Sequence, residues 1–313
     1  MKLKFNEKKV KKVINTTFPK AFIVHYKKFE RGLAHQTFKV RIKNPNRYVV
    51  VRIYKLKNKK KVDANTQALT FLHQKGFPTP RIYSDTQFKN QGIIVMEYLK
   101  GEEAEKILLG SSKQVKIKIL KNSGKLLKKL HAIPIPKFWI HFKHEIKNKE
   151  EWIKWTRQRI KKYLEFAKNN LDSKYYEFLE KEFKKFSNLL NKDINFVPMH
   201  WDFHLRNVLV NREGDIVGVV DFDNTLKGDA LAELGQVHHS IRFSTKNYKD
   251  FEYFLLGYNK NLTEKEKNFI RWYSLIHNIA VTRSIWKKKR RLLWIIKENL
   301  KIIKEMMKQS KLF

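Results

Sequence analysis

One short segment constrains this chain more than any other. Residues 197–224 read VPMHWDFHLRNVLVNREGDIVGVVDFDN, a β-rich stretch between long helical patterns. Two valine-rich runs flank the turn residues Asn211 to Asp215, which predicts a hairpin. Asn207 would begin the first strand and Asp221 would end its antiparallel partner, so we expect these two side chains to be neighbours.

The polar residues of this segment suit phosphoryl transfer. The spacing is His200-x-Asp202-x4-Asn207, followed by Asp221 and Asp223. A hydroxyl acceptor needs a carboxylate that accepts its proton, and Asp202 is our candidate for this base. Magnesium prefers hard oxygen ligands, which Asn207 and Asp221 would supply. The plainer alternative is that these residues only cap backbone turns, a common use of Asp and Asn.

The character of the sequence changes near residue 100. Before it, β-branched runs and turn residues predict a small antiparallel sheet with one helix: strands at 38–42 and 48–54, a helix at 62–75, and two strands around a turn at 85–92. After it, apolar residues at helical spacing predict long helices at 114–131, 149–169, 174–190 and 290–308. We therefore expect an α+β fold with two lobes, a nucleotide-binding lobe at 1–99 and a larger, mainly helical catalytic and substrate-binding lobe at 100–313.

The motifs resemble those of the aminoglycoside phosphotransferase and choline kinase family, within the protein-kinase-like fold. HWDFHLRNVLV is similar to the catalytic loop of that family, and VVDFDNTLKGDALAELG is similar to the segment that follows it. The resemblance implies that Asp202 is the catalytic base and that Asn207 and Asp221 are the magnesium ligands. It also implies that His200 and Asp229 brace the loop.

Two positions depart from the family pattern, and both departures are mild. Ala230 stands where proline is usual, and Glu233 stands where aspartate is usual. We also considered Asp223 as a group that contacts the acceptor or supports the metal, because it lies two residues beyond Asp221 and would point the same way along a strand.

A basic side chain should reach the phosphates of the nucleotide from the small sheet. Arg52, between Val51 and Ile53, is the candidate, and choline kinases resemble this chain in using arginine. The alternative is an exposed strand residue without such a role. Its expected partner on the next helix is unclear, because the matching position is Asn65, which cannot form an ion pair; Asp63 is a second option.

Two further segments resemble the nucleotide site of the family. The loop at 31–35 resembles the one that covers the phosphates, and the segment IVMEYLKG resembles the connector that holds the adenine. The implied nucleotide contacts are Gly32, Leu33, Ala34, Met96, Glu97, Tyr98 and Leu99. The implied cofactors are ATP, or GTP, together with Mg²⁺.

The acceptor cannot be identified from the sequence beyond a hydroxyl-bearing small molecule. The resemblance allows amino alcohols, aminoglycosides, homoserine and sugars. Acidic side chains suited to a cationic acceptor are sparse, and Asp223, Glu233 and Glu145 are the nearest options. This scarcity weighs lightly against aminoglycosides.

Composition bounds the remaining possibilities. The chain has 313 residues and no cysteine, which excludes disulfides and thiolate chemistry. It has neither a long apolar run nor a secretory signal, so we expect a cytoplasmic protein without a transmembrane segment. The net charge of +38 would attract polyanions, although an A- and T-rich genome would also favour lysine.

Two other functions stay open at this point. The first is a nucleic-acid-binding protein of kinase-like fold, or a kinase that acts on RNA or protein. A basic and aromatic series supports it: Trp152, Trp155, Arg157, Arg159, Lys161 and Lys162. The second is a metal-dependent hydrolase, for which the ligands would come from His200, Asp202, His204, Asp221, Asp223, His238 and His239.

Overall fold

The structure is a computed structural model and contains two compact units. The first unit is Met1–Gly101 together with Val217–Asn224, and the second is Glu102–Ile216 together with Thr225–Phe313. The structure describes residues 6–29, 36–56, 59–88, 90–139, 146–190, 194–259, 261–286 and 292–308.

The first unit is built on a five-stranded antiparallel sheet in the order β1-β2-β3-β5-β4. Its elements are α1 (Glu7–Thr17), β1 (Phe22–Lys28), β2 (Gln36–Lys43), β3 (Arg47–Lys55), α2 (Lys59–Gln74), β4 (Ile82–Phe88) and β5 (Gln91–Glu97). Alternate residues of β3 face opposite sides of the sheet. Val49, Val51 and Ile53 pack with α1, whereas Tyr54 packs on the opposite face with Val62 of α2. Arg52 therefore shares the α2 side of the sheet.

The predicted hairpin and helix of this unit are confirmed as β2, β3 and α2. The expected turn at 85–92 was too wide, because β4 continues to Phe88 and β5 already begins at Gln91. The sequence reading missed α1 and β1. Strand β1 lies at the sheet edge, and three of its apolar side chains, Phe22, Val24 and Tyr26, are exposed, so it lacks the inward apolar alternation that marks a strand.

The second unit is mainly helical. Its helices are α3 (Ala104–Gly110), α4 (Lys113–His131), α5 (Lys149–Asn170), α6 (Ser173–Leu189), α7 (Ala230–Thr245), α8 (Asp250–Tyr258), α9 (Glu264–Trp286) and α10 (Leu293–Lys308). The predicted long helices correspond to α4, α5, α6 and α10. A capping box precedes α9, since Thr263 Oγ1 accepts from Glu266 N–H and Glu266 Oε2 accepts from Thr263 N–H.

Short strands in the second unit hold the motif-bearing segment. They are β6 (Glu102–Glu103), β7 (Phe196–Met199), β8 (Val208–Val210) and β10 (Leu226–Asp229), while β9 (Ile216–Val219) runs from the second unit into the first. Strand β7 pairs with β10, and β8 pairs with β6, both antiparallel. The predicted turn between β8 and β9 is closed by Asn211 N–H donating to Asp215 O at 3.0 Å.

The observed architecture is the predicted α+β class, a small antiparallel sheet with a larger helical portion. Among the described residues, none of the helices combines the length and the apolar character that crossing a bilayer requires. The cytoplasmic location stays a prediction.

Candidate active site

The loop between β7 and β8 carries Asp202 and Asn207 and is closed by its own hydrogen bonds. His204 N–H donates to Asp202 O at 2.9 Å, and Asn207 N–H donates to His204 O at 2.8 Å. Asn207 also donates from Nδ2 to Asp202 O at 3.0 Å. Because the amide nitrogen is engaged in this way, the Oδ1 atom of Asn207 is the group left to bind a hard cation.

Asp202 is held by the two histidines that flank it. Its N–H donates to Nδ1 of the fully buried His200 at 3.2 Å. The Asp202 side chain is 37% exposed, and its Oδ1 lies 3.4 Å from His204 Nε2. Burial lowers the pKa of His204, although the Asp202 carboxylate opposes that effect. A partly exposed carboxylate on a fixed backbone is suited to accept a proton from a bound hydroxyl.

Glu233 fixes the residue that precedes Asp202. Trp201 has a left-handed backbone (φ 59°), and its N–H donates to Glu233 Oε1 at 2.6 Å. The other carboxylate oxygen lies 2.8 Å from Nε2 of His131, whose Nδ1 lies 2.8 Å from the Tyr258 hydroxyl. Because a carboxylate only accepts, His131 donates from Nε2 to Glu233. A chain of four groups thus supports a strained backbone position.

The sequence motifs did not point to His131, the last residue of α4, as part of the site. The longer side chain of Glu233, noted as a departure, is the group that reaches both Trp201 N–H and His131. No local pattern links residues 131 and 233, so their partnership could not be found without the fold.

Asp229 supports the segment differently from what the resemblance implied. It is the N-cap of α7, where Oδ1 accepts from Leu231 N–H at 3.0 Å and Oδ2 accepts from the Tyr273 hydroxyl at 2.9 Å. Burial raises the pKa of Asp229 to about 6, although both hydrogen bonds oppose the rise. Its backbone pairs with Phe196 of β7, so Asp229 supports the strand that leads into the loop.

In the first unit, Arg52 lies between two carboxylates. Its NH1 donates to Asp223 Oδ1 at 2.8 Å, and its NH2 lies 3.6 Å from Asp221 Oδ1. The side chains of Arg52 and Asp223 are 11% and 4% exposed, whereas that of Asp221 is 42% exposed. Burial would lower the pKa of Arg52, but the two carboxylates outweigh it and raise that pKa. Asp221 also has a left-handed backbone, with φ 69°.

These contacts answer the question of which acid pairs with Arg52. The acid is Asp223, so neither option on α2 was right. Asp63 forms an ion pair with Lys59 at 2.6 Å, and Asn65 is fully buried, with neither amide atom hydrogen-bonded to a described residue. Asp223 is bonded to Arg52 and is only 3% exposed, so it is a buried ion-pair residue.

The predicted adenine-binding segment ends β5. The Met96 side chain is 4% exposed and packs with Tyr54, Val62 and Ile94. The contacts of the next residues are internal to the first unit: Glu97 N–H donates to Arg81 O, Tyr98 Oη accepts from Lys39 Nζ, and Leu99 O accepts from Gly101 N–H. The predicted phosphate-covering residues Gly32, Leu33 and Ala34, and also Glu145, lie outside the described residues.

The histidines proposed for a hydrolase metal site have structural roles instead. His238 bonds to Ser274 at 2.9 Å, and His239 donates from Nε2 to Asn299 Oδ1 at 3.0 Å. Burial lowers the pKa of His238 to about 3 and that of His239 to about 4, so both are neutral near pH 7. Within the described part of the chain, no group of three or more His, Cys, Asp or Glu side chains is arranged to bind a metal.

Helix α5 does not present the aromatic face that nucleic-acid stacking would need. Trp152 is fully buried, and Trp155 packs against the same core. Arg157, Lys161 and Lys162 are exposed and form only a charged face. Association with nucleic acid or another polyanion stays a prediction from the net charge of +38.

A comparison with protein families decides the class. A model described as the phosphotransferase enzyme family matches residues 25–255, well over half of the 313-residue chain. The chain belongs to this family. The member described here is therefore an enzyme, a phosphotransferase with a hydroxyl group as acceptor. No curated protein sequence matches the chain.

Solved structures of aminoglycoside phosphotransferases have the same fold as this phosphotransferase. The GDP complex of wild-type aminoglycoside 2′-phosphotransferase-IIIa has a TM-score of 0.72 and 13% identity, with 96% of this chain and 98% of that chain covered. ADP-bound APH(2″)-Ib has a TM-score of 0.62 and 17% identity, with 93% of this chain and 94% of that chain covered. The gentamicin complex of APH(2″)-IIa has a TM-score of 0.63 and 16% identity, with 99% of this chain and 98% of that chain covered. At these identities the likeness confirms the predicted kinase-like fold.

Proposed function

We propose that this phosphotransferase transfers the γ-phosphoryl group of ATP to a hydroxyl group of a small molecule. The observation that carries the proposal is the loop around Asp202. Its carboxylate is partly exposed, while its backbone is fixed by His200, Asn207 and the neighbouring contact of Trp201 with Glu233. A base held in this manner meets the acceptor at a defined position, which lowers the entropic part of the barrier.

In the proposed reaction, Asp202 accepts the proton of the acceptor hydroxyl. The hydroxyl oxygen forms a bond to the γ-phosphorus, the bond from that phosphorus to the β–γ bridging oxygen breaks, and ADP leaves with the electron pair. Arg52 and Asp221 of the first unit bind the triphosphate side. Arg52 is already oriented by Asp223, so its guanidinium would not need to be ordered when phosphate arrives.

The donor set fits magnesium. Asn207 offers an amide oxygen whose partner nitrogen is engaged, and Asp221 offers a carboxylate that is 42% exposed. When bound, the metal would neutralise charge on the phosphates. We assign Asn207 and Asp221 as its protein ligands, with phosphate oxygens completing the coordination.

In this assignment residues 1–99 form the nucleotide-binding lobe, and residues 100–313 carry catalysis and acceptor binding. Asp221 is late in the sequence yet belongs to the first unit by its contacts. Glu97, Tyr98 and Leu99 would contribute backbone groups to the base edge, and Met96 would contribute apolar surface near it. Similar structures contain GDP and ADP, so the assay should compare ATP with GTP.

The test is nucleotide consumption measured against a panel of hydroxyl-bearing metabolites, with Asp202→Ala as the comparison. We expect the variant to lose about 100-fold to 10,000-fold in kcat, the usual contribution of a general base, while ATP binding changes little. A loss of only a few fold would remove Asp202 from the role of base.

A second variant separates this proposal from the hydrolase alternative. Asn207→Leu removes the amide oxygen assigned to magnesium, so we expect phosphoryl transfer to be abolished and the magnesium concentration needed for ATP binding to rise. A His-Asp hydrolase site would not use this amide. Normal turnover by Asn207→Leu would therefore contradict the phosphotransferase site as assigned.

A further inference from the structure

The face of the second unit next to the catalytic loop holds an arginine stacked on aromatic rings. The Cζ atom of Arg159 lies 4.5 Å from the ring centroid of Trp155 and 5.5 Å from that of Trp201, the residue before Asp202. It also lies 5.6 Å from the ring of Tyr163, whose hydroxyl accepts from Arg159 Nε at 3.4 Å. We call these residues, Arg159, Trp155, Trp201 and Tyr163, the arginine cluster.

The charge of Arg159 is not neutralised by the nearby acids. Within the described parts of the chain, no carboxylate lies within ion-pair distance of its guanidinium. The buried acids of this region are already engaged, since Asp229 accepts from Tyr273 and Leu231, and Glu233 accepts from His131 and Trp201. A half-buried guanidinium without a carboxylate partner is costly to desolvate, and an anionic ligand would offset that cost.

His277 lies within the electrostatic reach of Arg159. Burial lowers the pKa of His277 well below its ordinary value, and His239, Arg159 and His204 add to that effect. Because Arg159 and His204 both act on His277, the guanidinium and the histidine that contacts Asp202 belong to one electrostatic neighbourhood.

The chemistry of a stacked guanidinium defines the ligand. With its faces against aromatic rings, the group offers its remaining N–H donors at the edge, and these match the paired oxygens of a carboxylate or phosphate. We propose that the arginine cluster binds an oxyanion of the acceptor, so that the substrate is a hydroxyl compound with an anionic group and not a polycation. The inference deepens the proposed function and depends on it.

Two of the three acids considered for a cationic acceptor already have partners. Of the candidates considered from the sequence, Glu233 is fully buried and bonded to Trp201 and His131, and Asp223 is paired with Arg52. The acceptor preference should therefore differ from the gentamicin named for the similar APH(2″)-IIa.

The experiment compares acceptors that share a hydroxyl but differ in charge: gluconate, glucose and glucosamine, with glycerate, glycerol 3-phosphate, glycerol, ethanolamine and kanamycin as further members. We expect measurable phosphorylation of anionic members, with kcat/KM at least about tenfold above that of the neutral and cationic ones, the size of one charge-assisted hydrogen bond. A comparison of kcat/KM for glycerate and for glycerol 3-phosphate distinguishes recognition of a carboxylate from recognition of a phosphate.

Variants test whether Arg159 is the cause. Arg159→Met should raise KM for the anionic acceptor by about tenfold to a hundredfold. Arg159→Lys should raise KM less than Arg159→Met does, because lysine keeps the positive charge but lacks the paired N–H donors of the guanidinium. Arg157→Met removes the same charge from an exposed position on the same helix and should leave KM unaltered.

The outcomes separate the two proposals. If ATP is hydrolysed but anionic members are not phosphorylated, or if Arg159→Met leaves their KM unchanged, the acceptor inference is wrong and the proposed function survives. If the protein neither binds nor consumes nucleotide, the proposed function fails, and the inference that depends on it fails with it.

Discussion

Acidic residues in the two units are held by opposite means. In the second unit, Glu233 and Asp229 are buried and accept hydrogen bonds from backbone N–H groups, an imidazole and a phenol. In the first unit, Asp221 and Asp223 are held by the charge of Arg52. The hydrogen bonds of Glu233 and Asp229 fix backbone positions. The ion pairs of Arg52 keep its charge next to those of Asp221 and Asp223, and a bound ligand would alter these charge interactions.

The difference follows from what each region would bind. The donors to Glu233 and Asp229 are already bonded to buried carboxylates, so the loop around Asp202 should keep its shape with and without ligand. Arg52 and Asp221 would gain new partners when a triphosphate and magnesium bind, whereas the nearly buried Asp223 can keep the arginine in place. Trp201, next to Asp202, and Asp221, next to Arg52, both have a left-handed backbone. Strained backbone of this kind is often found at functional sites.

The largest effect is expected from breaking the ion pair of the first unit. Asp223→Ala leaves Arg52 buried without its closest carboxylate, and we expect the free energy of unfolding to fall by about 3–5 kcal/mol, measured by urea denaturation. Asp63→Ala removes the exposed ion pair with Lys59 and should cost less than about 1 kcal/mol, which provides the control.

A double variant separates stability from function in this pair. Arg52→Met with Asp223→Leu replaces both charges by apolar groups, so its stability should lie above that of Asp223→Ala while ATP binding remains weak. A single Asp223→Ala variant as stable as the parent would show that the pair is held by something other than mutual charge.

A smaller effect on stability, but a clear one on turnover, is expected at Glu233. Glu233→Ala leaves Trp201 N–H and His131 without their acceptor, and because His131 keeps its contact with Tyr258, we expect the free energy of unfolding to fall by about 1–3 kcal/mol. Displacement of the adjacent Asp202 should lower kcat by about tenfold to a hundredfold, with little change in KM for ATP.

Glu233→Gln is the matched variant, because its amide oxygen can still accept from Trp201 N–H. It should retain most of the turnover. Equal kcat for the alanine and glutamine variants would show that the hydrogen bond to Trp201 does not position the base.

The sequence predicted the fold where local pattern and tertiary role agree. Strands β2 and β3 alternate strongly, and α4, α5 and α6 carry clear helical periods, so each was found close to its observed bounds. Strand β1 was missed because its side chains are exposed at an edge. The motif placed Asp202 and Asn207 on one loop, because their spacing is short enough for chain geometry to fix it.

Long-range partnerships lay beyond the sequence. Arg52 was expected to pair on α2 by analogy with the family, yet its carboxylate lies 171 positions away in sequence. The link of His131 to Glu233 spans 102 positions. A side chain's partner at such separations depends on how the elements pack, and the local periodicity that reveals a helix or strand carries no information about it.

The smallest expected effect concerns a group held in neutral form in the second unit. His239 has its pKa lowered from 6.5 to about 4, so the unfolded chain binds more protons than the folded chain between these values. Stability should therefore fall as the pH decreases from about 6.5 towards 4, by about 2 kcal/mol at pH 5 for this residue. His239→Gln keeps a donor for Asn299 and should flatten the dependence when urea denaturation is compared at pH 7.5 and pH 5. If the parent and the variant lose equal stability over that interval, His239 is not held neutral by burial, and the contrast between neutral and charged packing would not extend to this helix.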